Sequence, residues 1–153
     1  MTEKVYCVYD WWDMTIISGV AEYNNKKYYF KCNFDFPADD WSDIYELTFL
    51  DDYIFKLSME NWEYWKIWLK QSIIPHPQLY AKSRETMTVK EIFSGKNIEK
   101  RLIEQTENYY QNELIINEYI ENTKPVYKAK AAFQGKIDGM DTRVEWKNIS
   151  NII

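Results

Sequence analysis

The chain has 153 residues, of which 46% are hydrophobic and 28% charged, and its net charge is −5. This length and composition predict a single globular domain over residues 1–153 and argue against a disordered chain. With one histidine, two cysteines and four glycines, the chain shows neither zinc-site spacing nor a Gly-rich phosphate loop. We therefore expect no metal and no cofactor.

The two cysteines, Cys7 and Cys32, lie on predicted strands. We expect small buried side chains rather than a disulfide, which indicates a reducing compartment and a cytoplasmic location. The first thirty residues lack a basic start followed by an apolar run, so we expect no secretory signal. No apolar run approaches the length of a membrane-spanning helix, and we expect no membrane partner.

Charge is distributed unevenly between the two parts of the chain. Residues 1–63 hold thirteen acidic residues against five lysines, a balance of −8, whereas residues 64–153 have a balance of +3. An acidic surface repels phosphates, so we expect no nucleic-acid partner and favour a basic protein partner. The alternative is that the imbalance only reflects a solvated surface.

The N-terminal third shows the alternation that is typical of strands. The ranges 4–10, 16–23, 26–34 and 44–49 are predicted strands. Asn24 and Asn25 separate the second from the third strand, and both residue types tolerate the positive φ of a tight hairpin. This turn places Gly19 opposite Phe30 and Ala21 opposite Tyr28.

From Asp51 the apolar period changes to about 3.6, which predicts an amphipathic helix with Trp62 and Trp65 on its buried side. Asp51 and Asp52 suit its N-terminus. A loop around His76 follows, then a short helix from Thr88 and a longer one from about residue 98, which ends before Pro125.

The last segment predicts a second hairpin, turning at Asp138 and Gly139. Its register places Ala131 opposite Trp146 and Phe133 opposite Val144. Because strands cluster at both ends of the chain and hairpins connect them, we predict an α+β fold. We expect a mainly antiparallel sheet of about five or six strands, with helices packed on one face.

Two acidic and aromatic clusters are the candidate binding sites. The first follows the first strand and consists of Tyr9, Asp10, Trp11, Trp12 and Asp13; the second consists of Asp40, Trp41 and Asp43. Aromatic rings supply rigid contact area, and carboxylates accept hydrogen bonds from a basic group. The alternative for the first cluster is that Trp11 or Trp12 closes one end of the core while the two aspartates cap turns.

Neither cluster has the ordered ligand spacing of a calcium loop. Carboxylate pairs can also serve as acid and base in hydrolysis, but the sequence shows neither their separation nor their environment. We therefore name no catalytic residue.

The dispersed motifs Tyr9–Asp13, Ser18–Ala21, Asp40–Asp43 and Val144–Trp146 resemble a family of small uncharacterised bacterial proteins with an N-terminal Tyr-Asp-aromatic-aromatic-Asp motif. Members usually continue with Gly-Pro, whereas this chain has Met14 and Thr15. The family has no assigned reaction, so the resemblance implies a self-contained domain and no catalytic residue.

These observations favour a non-catalytic cytoplasmic interaction module whose acidic, aromatic surface binds a basic protein, as an immunity-like or accessory factor would. The alternative is a small-molecule pocket lined by the same aromatic residues, in which paired carboxylates would hydrolyse a substrate. A homodimer joined through exposed rings is a third interpretation.

Overall fold

The structure is a computed structural model that describes residues 1–12, 15–70, 100–135 and 141–152. The predictions at Asp13, His76 and Thr88, and the turn at Asp138 and Gly139, lie outside the described residues. The chain forms two compact units, one from Met1–Phe55 with Tyr119–Ile153 and the other from Lys56–Glu118. The single domain over residues 1–153 stays a prediction.

The first unit is a closed barrel of six strands in which each strand pairs with the next one along the chain. All pairs are antiparallel. The strands are β1 (Glu3–Trp12), β2 (Thr15–Tyr23), β3 (Lys26–Asp35), β4 (Asp40–Phe49), β5 (Tyr127–Gln134) and β6 (Arg143–Asn151).

The predicted α+β fold, an antiparallel sheet with helices packed on one face, is wrong. The sheet closes on itself because Glu3 of β1 pairs with Val144 of β6 and Lys4 pairs with Arg143. The core of this unit therefore lies inside a barrel and not between a sheet and a helical layer. Alternation along a strand shows which residues turn inward, but it does not show that the first and last strands meet.

The hairpin between β2 and β3 confirms the sequence prediction. Asn24 and Asn25 have φ values of 50° and 65°, as a two-residue turn between twisted strands requires. Gly19 pairs with Phe30 and Ala21 with Tyr28. A Cβ atom on Gly19 would lie 2.3 Å from the Cys7 carbonyl oxygen and 2.7 Å from the Phe30 ring, so only glycine fits here.

The predicted pairing of β5 with β6 is also confirmed. Ala131 faces Trp146 and Phe133 faces Val144. A register shift between Lys128 and Ala129 moves the pairs beyond it by one residue, a local irregularity that the alternating pattern does not encode.

Aromatic rings fill much of the barrel interior. Four residues from β3, β4, β5 and β6 form a cluster whose ring centroids lie 5.6 to 6.1 Å apart. They are Phe30, Tyr45, Phe133 and Trp146. The hydroxyl of Tyr45 donates to the backbone oxygen of Ile16, and the indole nitrogen of Trp146 donates to that of Glu22 at 3.1 Å. Both polar tips are thus satisfied inside an apolar core.

Two helices connect β4 to β5 among the described residues: α1 (Asp52–Lys70) and α2 (Lys100–Asn122). Within the second unit, the amide of Asn61 donates to the Tyr109 carbonyl at 3.1 Å and Asn112 donates to Asn61 at 3.0 Å. Trp62 and Trp65 are buried, as their spacing predicts. Neither described helix has the length and apolar character to cross a membrane.

Candidate interaction surface at one end of the barrel

The topology brings the two predicted clusters to the same end of the barrel. Successive strands run up and down, so the β1–β2 and β3–β4 connections both lie at this end. Trp11 and Trp12 are the last residues of β1, and Asp40 and Trp41 are the first of β4. We call residues 10–12 together with residues 35–43 the hairpin-end surface.

Three large rings of the hairpin-end surface are exposed to solvent. The exposed fraction is 40% for Trp11, 68% for Trp12 and 81% for Phe36. Single exposed apolar residues are common on proteins, but several at one end of a small barrel form the kind of patch that marks an interaction site. The alternative interpretation, in which Trp11 or Trp12 closes the core, does not fit the exposure of both side chains.

Phe36 was not among the residues predicted from the sequence. It stands in the turn between β3 and β4, and its ring contacts Phe34 edge to face at 5.0 Å. Phe34 in turn contacts Trp41 at 5.3 Å. The exposed ring therefore packs against a row of two further rings, Phe34 and Trp41. The sequence contained one signal for Phe36, namely an apolar aromatic residue beside Pro37 within an acidic segment.

The β3–β4 connection that carries Phe36 is rich in carboxylates. Residues 35–43 contain four aspartates and no basic residue. An oxygen of Asp40 accepts from the Trp41 backbone at 2.7 Å, and one of Asp35 accepts from Ala38 at 3.4 Å. The positive φ of 52° at Asp39 completes the turn, a conformation that aspartate tolerates. The turn therefore holds several negative charges close together at its tip.

One lysine contacts this group of charges. The ammonium of Lys130 lies 3.7 Å from an Asp43 oxygen, and the two side chains are 53% and 73% exposed. A long ion pair this open to water contributes little to stability. The surface consequently keeps its negative character.

Tyr9, Asp10 and Trp41 are half-buried, unlike Trp11, Trp12, Asp40 and Asp43, which are exposed. The ring of Tyr9 lies 6.3 Å from that of Tyr29 and is tilted by 41° to it, and Tyr9 is also near the thiol of Cys7. Burial raises the pKa of the Tyr29 hydroxyl, and the charge of Asp10 adds to the rise. Tyr9 and Asp10 belong largely to the barrel wall, so the accessible part of the predicted site is formed by Trp11, Trp12 and the β3–β4 turn.

The described residues also show how the remaining candidate ligands are placed. Among the described residues, no three histidine, cysteine or acidic side chains are grouped to hold a metal ion. Cys7 and Cys32 are free and buried, as predicted. A groove of about 130 Å³ exists on the outer face of β3 and β4, but none of the predicted site residues lines it.

We compared the chain with protein-family models, curated proteins and solved structures, and none of them matches it.

Proposed function

We propose that this protein is a non-catalytic cytoplasmic interaction module that binds a basic protein partner through the hairpin-end surface, as an immunity-like or accessory factor would. The observation that carries the proposal is the exposure of Trp12 (68%) and Phe36 (81%) at the end of the barrel that also carries the four aspartates of residues 35–43. Removing large apolar rings from water makes binding favourable, and the carboxylates of the same surface select a positively charged partner.

The aromatic rings and the aspartates would have different roles in binding. Tryptophan is the commonest residue at the energetic centre of protein interfaces, so Trp12 and Phe36 would supply most of the affinity. The aspartates would act at longer range by attracting basic partners, and salt would weaken this attraction. The same charges disfavour DNA and RNA because they repel phosphates.

A peptide-display selection tests the proposal without knowledge of the natural partner. The immobilised protein selects from a library of Lys- and Arg-rich peptides that also contain apolar positions, and calorimetry measures the affinity of the selected peptides. We expect binding to weaken at least about tenfold between about 0.05 and 0.5 M NaCl. We expect a loss of at least about tenfold in Trp12→Ala or Phe36→Ala, since a buried aromatic anchor contributes about 2 kcal/mol or more.

Tyr53→Ala is the matched control, because Tyr53 is an aromatic residue of similar exposure (57%) at the start of α1. Near-ultraviolet circular dichroism establishes that each variant is folded. Equal losses in Tyr53→Ala and Trp12→Ala, or binding that is indifferent to salt, would contradict the proposal. Sedimentation of the protein alone separates this function from a homodimer, which would give the dimer mass with no peptide present.

A further inference from the structure

The groove on the outer face of the barrel has a chemistry different from that of the hairpin-end surface. Its walls are Tyr29, Lys31 and Asn33 of β3, Glu46 and Thr48 of β4, and Ile120 near the end of α2. Its volume of about 130 Å³ is close to that of cavities that hold one benzene-sized molecule. The groove therefore suits a small molecule and is too small for a protein segment.

Two opposite charges in the groove are left available. Lys31 and Glu46 are direct partners in the register of β3 and β4. Opposite charges at such cross-strand positions usually form an ion pair. Within the described part of the chain, however, neither side chain belongs to an ion pair, and Lys31 is exposed. A ligand can consequently meet a cation and an anion in one small site.

Thr48 adds a hydroxyl to the lining of the groove. The residue is only 4% exposed, so the surrounding barrel wall fixes its position. A hydroxyl both donates and accepts hydrogen bonds, and it can therefore contact either charged end of a ligand held there.

The end of α2 adds a preference for positive charge near Glu46. Ile120 and Thr123 both line the groove, and the last turn of a helix presents carbonyl groups and the negative end of the helix dipole. Glu46 and the negative end of the helix dipole would together favour an ammonium group at this side of the groove, whereas Lys31 would receive a carboxylate.

We propose that this groove binds a small zwitterion of the α-amino acid class, with Lys31 contacting its carboxylate, Glu46 its ammonium group and Thr48 either one. The proposal uses none of the hairpin-end residues, so it stands or falls separately from the proposed interaction with a basic protein. The size of the groove favours the smallest members of the class, such as glycine, alanine and serine.

An NMR titration of the ¹⁵N-labelled protein with alanine tests the proposal. We expect saturable shifts of the amide signals of β3 and β4. N-acetylalanine lacks the ammonium charge and alanine methyl ester lacks the carboxylate charge, and we expect each to bind at least about tenfold more weakly. Equal binding of all three compounds would overturn the proposal, as would the absence of shifts with glycine, alanine and serine up to about 10 mM.

Variants test the assigned roles. Lys31→Met and Glu46→Gln should each weaken alanine binding at least about tenfold, whereas Lys147→Met and Glu145→Gln, which change exposed residues of β6, should not. Thr48→Val removes the hydroxyl and keeps the shape of the side chain. It should weaken binding severalfold, because the ligand loses one hydrogen bond, and near-ultraviolet circular dichroism of the free variant checks that the fold is retained. Normal alanine binding in Lys31→Met and Glu46→Gln together would overturn the site.

Discussion

At the scale of single residues, burial determines the chemistry of Cys7. The thiol is completely buried, and loss of contact with water raises its pKa from 9.0 to about 12, against a smaller opposing effect of nearby Tyr9. Burial likewise raises the pKa of Tyr28 from 10.0 to about 12, and neighbouring Tyr127 adds to the rise. These groups are stable in the barrel only in their neutral forms.

Alkaline pH should therefore unfold the protein. Because the pKa of Cys7 is higher in the folded than in the unfolded chain, its contribution is fully present below about pH 9 and is lost as the pH rises toward about 12. That rise in pKa corresponds to about 4 kcal/mol. Urea unfolding at a series of pH values should show this decline, and Cys7→Ala should reduce its steepness. Constant stability between pH 9 and 11 would contradict the prediction.

At the scale of secondary-structure elements, the start of α1 is determined locally. A carboxylate oxygen of Asp51 accepts a hydrogen bond from the backbone nitrogen of Ile54 at 2.8 Å. This contact satisfies one of the backbone donors that the first turn of a helix leaves free. The sequence predicts it because only neighbouring residues take part.

Asp51→Ala should lower the free energy of unfolding by about 1 kcal/mol, because alanine cannot accept this hydrogen bond. Asp51→Asn keeps a side-chain oxygen and should retain most of the stability, so it serves as the control. Chemical denaturation followed by circular dichroism measures both. An equal loss in the two variants would show that the charge of Asp51, and not its capping hydrogen bond, stabilises the helix.

At the scale of the whole molecule, the barrel closes through a short seam. Among the described residues, β1 and β6 share only the pairs Glu3–Val144 and Lys4–Arg143. The Val5 nitrogen donates to the Thr142 carbonyl at 3.1 Å, and Arg143 donates twice to Thr2 at 2.8 Å. The β2–β3 interface shares six residue pairs, so the seam has fewer hydrogen bonds to hold it.

We expect the seam to open before the rest of the barrel. Hydrogen exchange should show weaker protection at the Val5 amide than at amides of β2 and β3, since opening the seam breaks fewer contacts. Arg143→Ala removes the two hydrogen bonds to Thr2 and should lower the opening free energy at Val5 by about 1 kcal/mol or more.

Lys147→Ala, at an exposed position of the same strand, is the control for that experiment. Equal protection at Val5 and in the β2–β3 hairpin would contradict a weak seam. So would an Arg143→Ala variant that exchanges no faster at Val5 than the control.

The candidate site could be predicted from the sequence only in part, because its residues come from separate parts of the chain. Residue type is sufficient to select Trp11, Trp12, Asp40 and Asp43 as candidate site residues. Their presence at one end of the barrel, however, depends on the up-and-down order of the strands. Phe36 is exposed because it lies in the turn that follows β3, whereas Phe30, the same residue type on β3 itself, is fully buried. Residue type alone does not distinguish them.

The sequence by itself determined what depends on near neighbours: the Asn24–Asn25 turn, the registers of both hairpins and the cap of α1. Their signals are φ preferences, alternation and capping, which act over a few residues. Only the tertiary structure decided the closure of the barrel, the exposure of Trp12 and Phe36, and the groove that joins Lys31, Glu46 and Ile120. These features depend on contacts between residues far apart in the chain, and such contacts form according to how the whole set of strands packs.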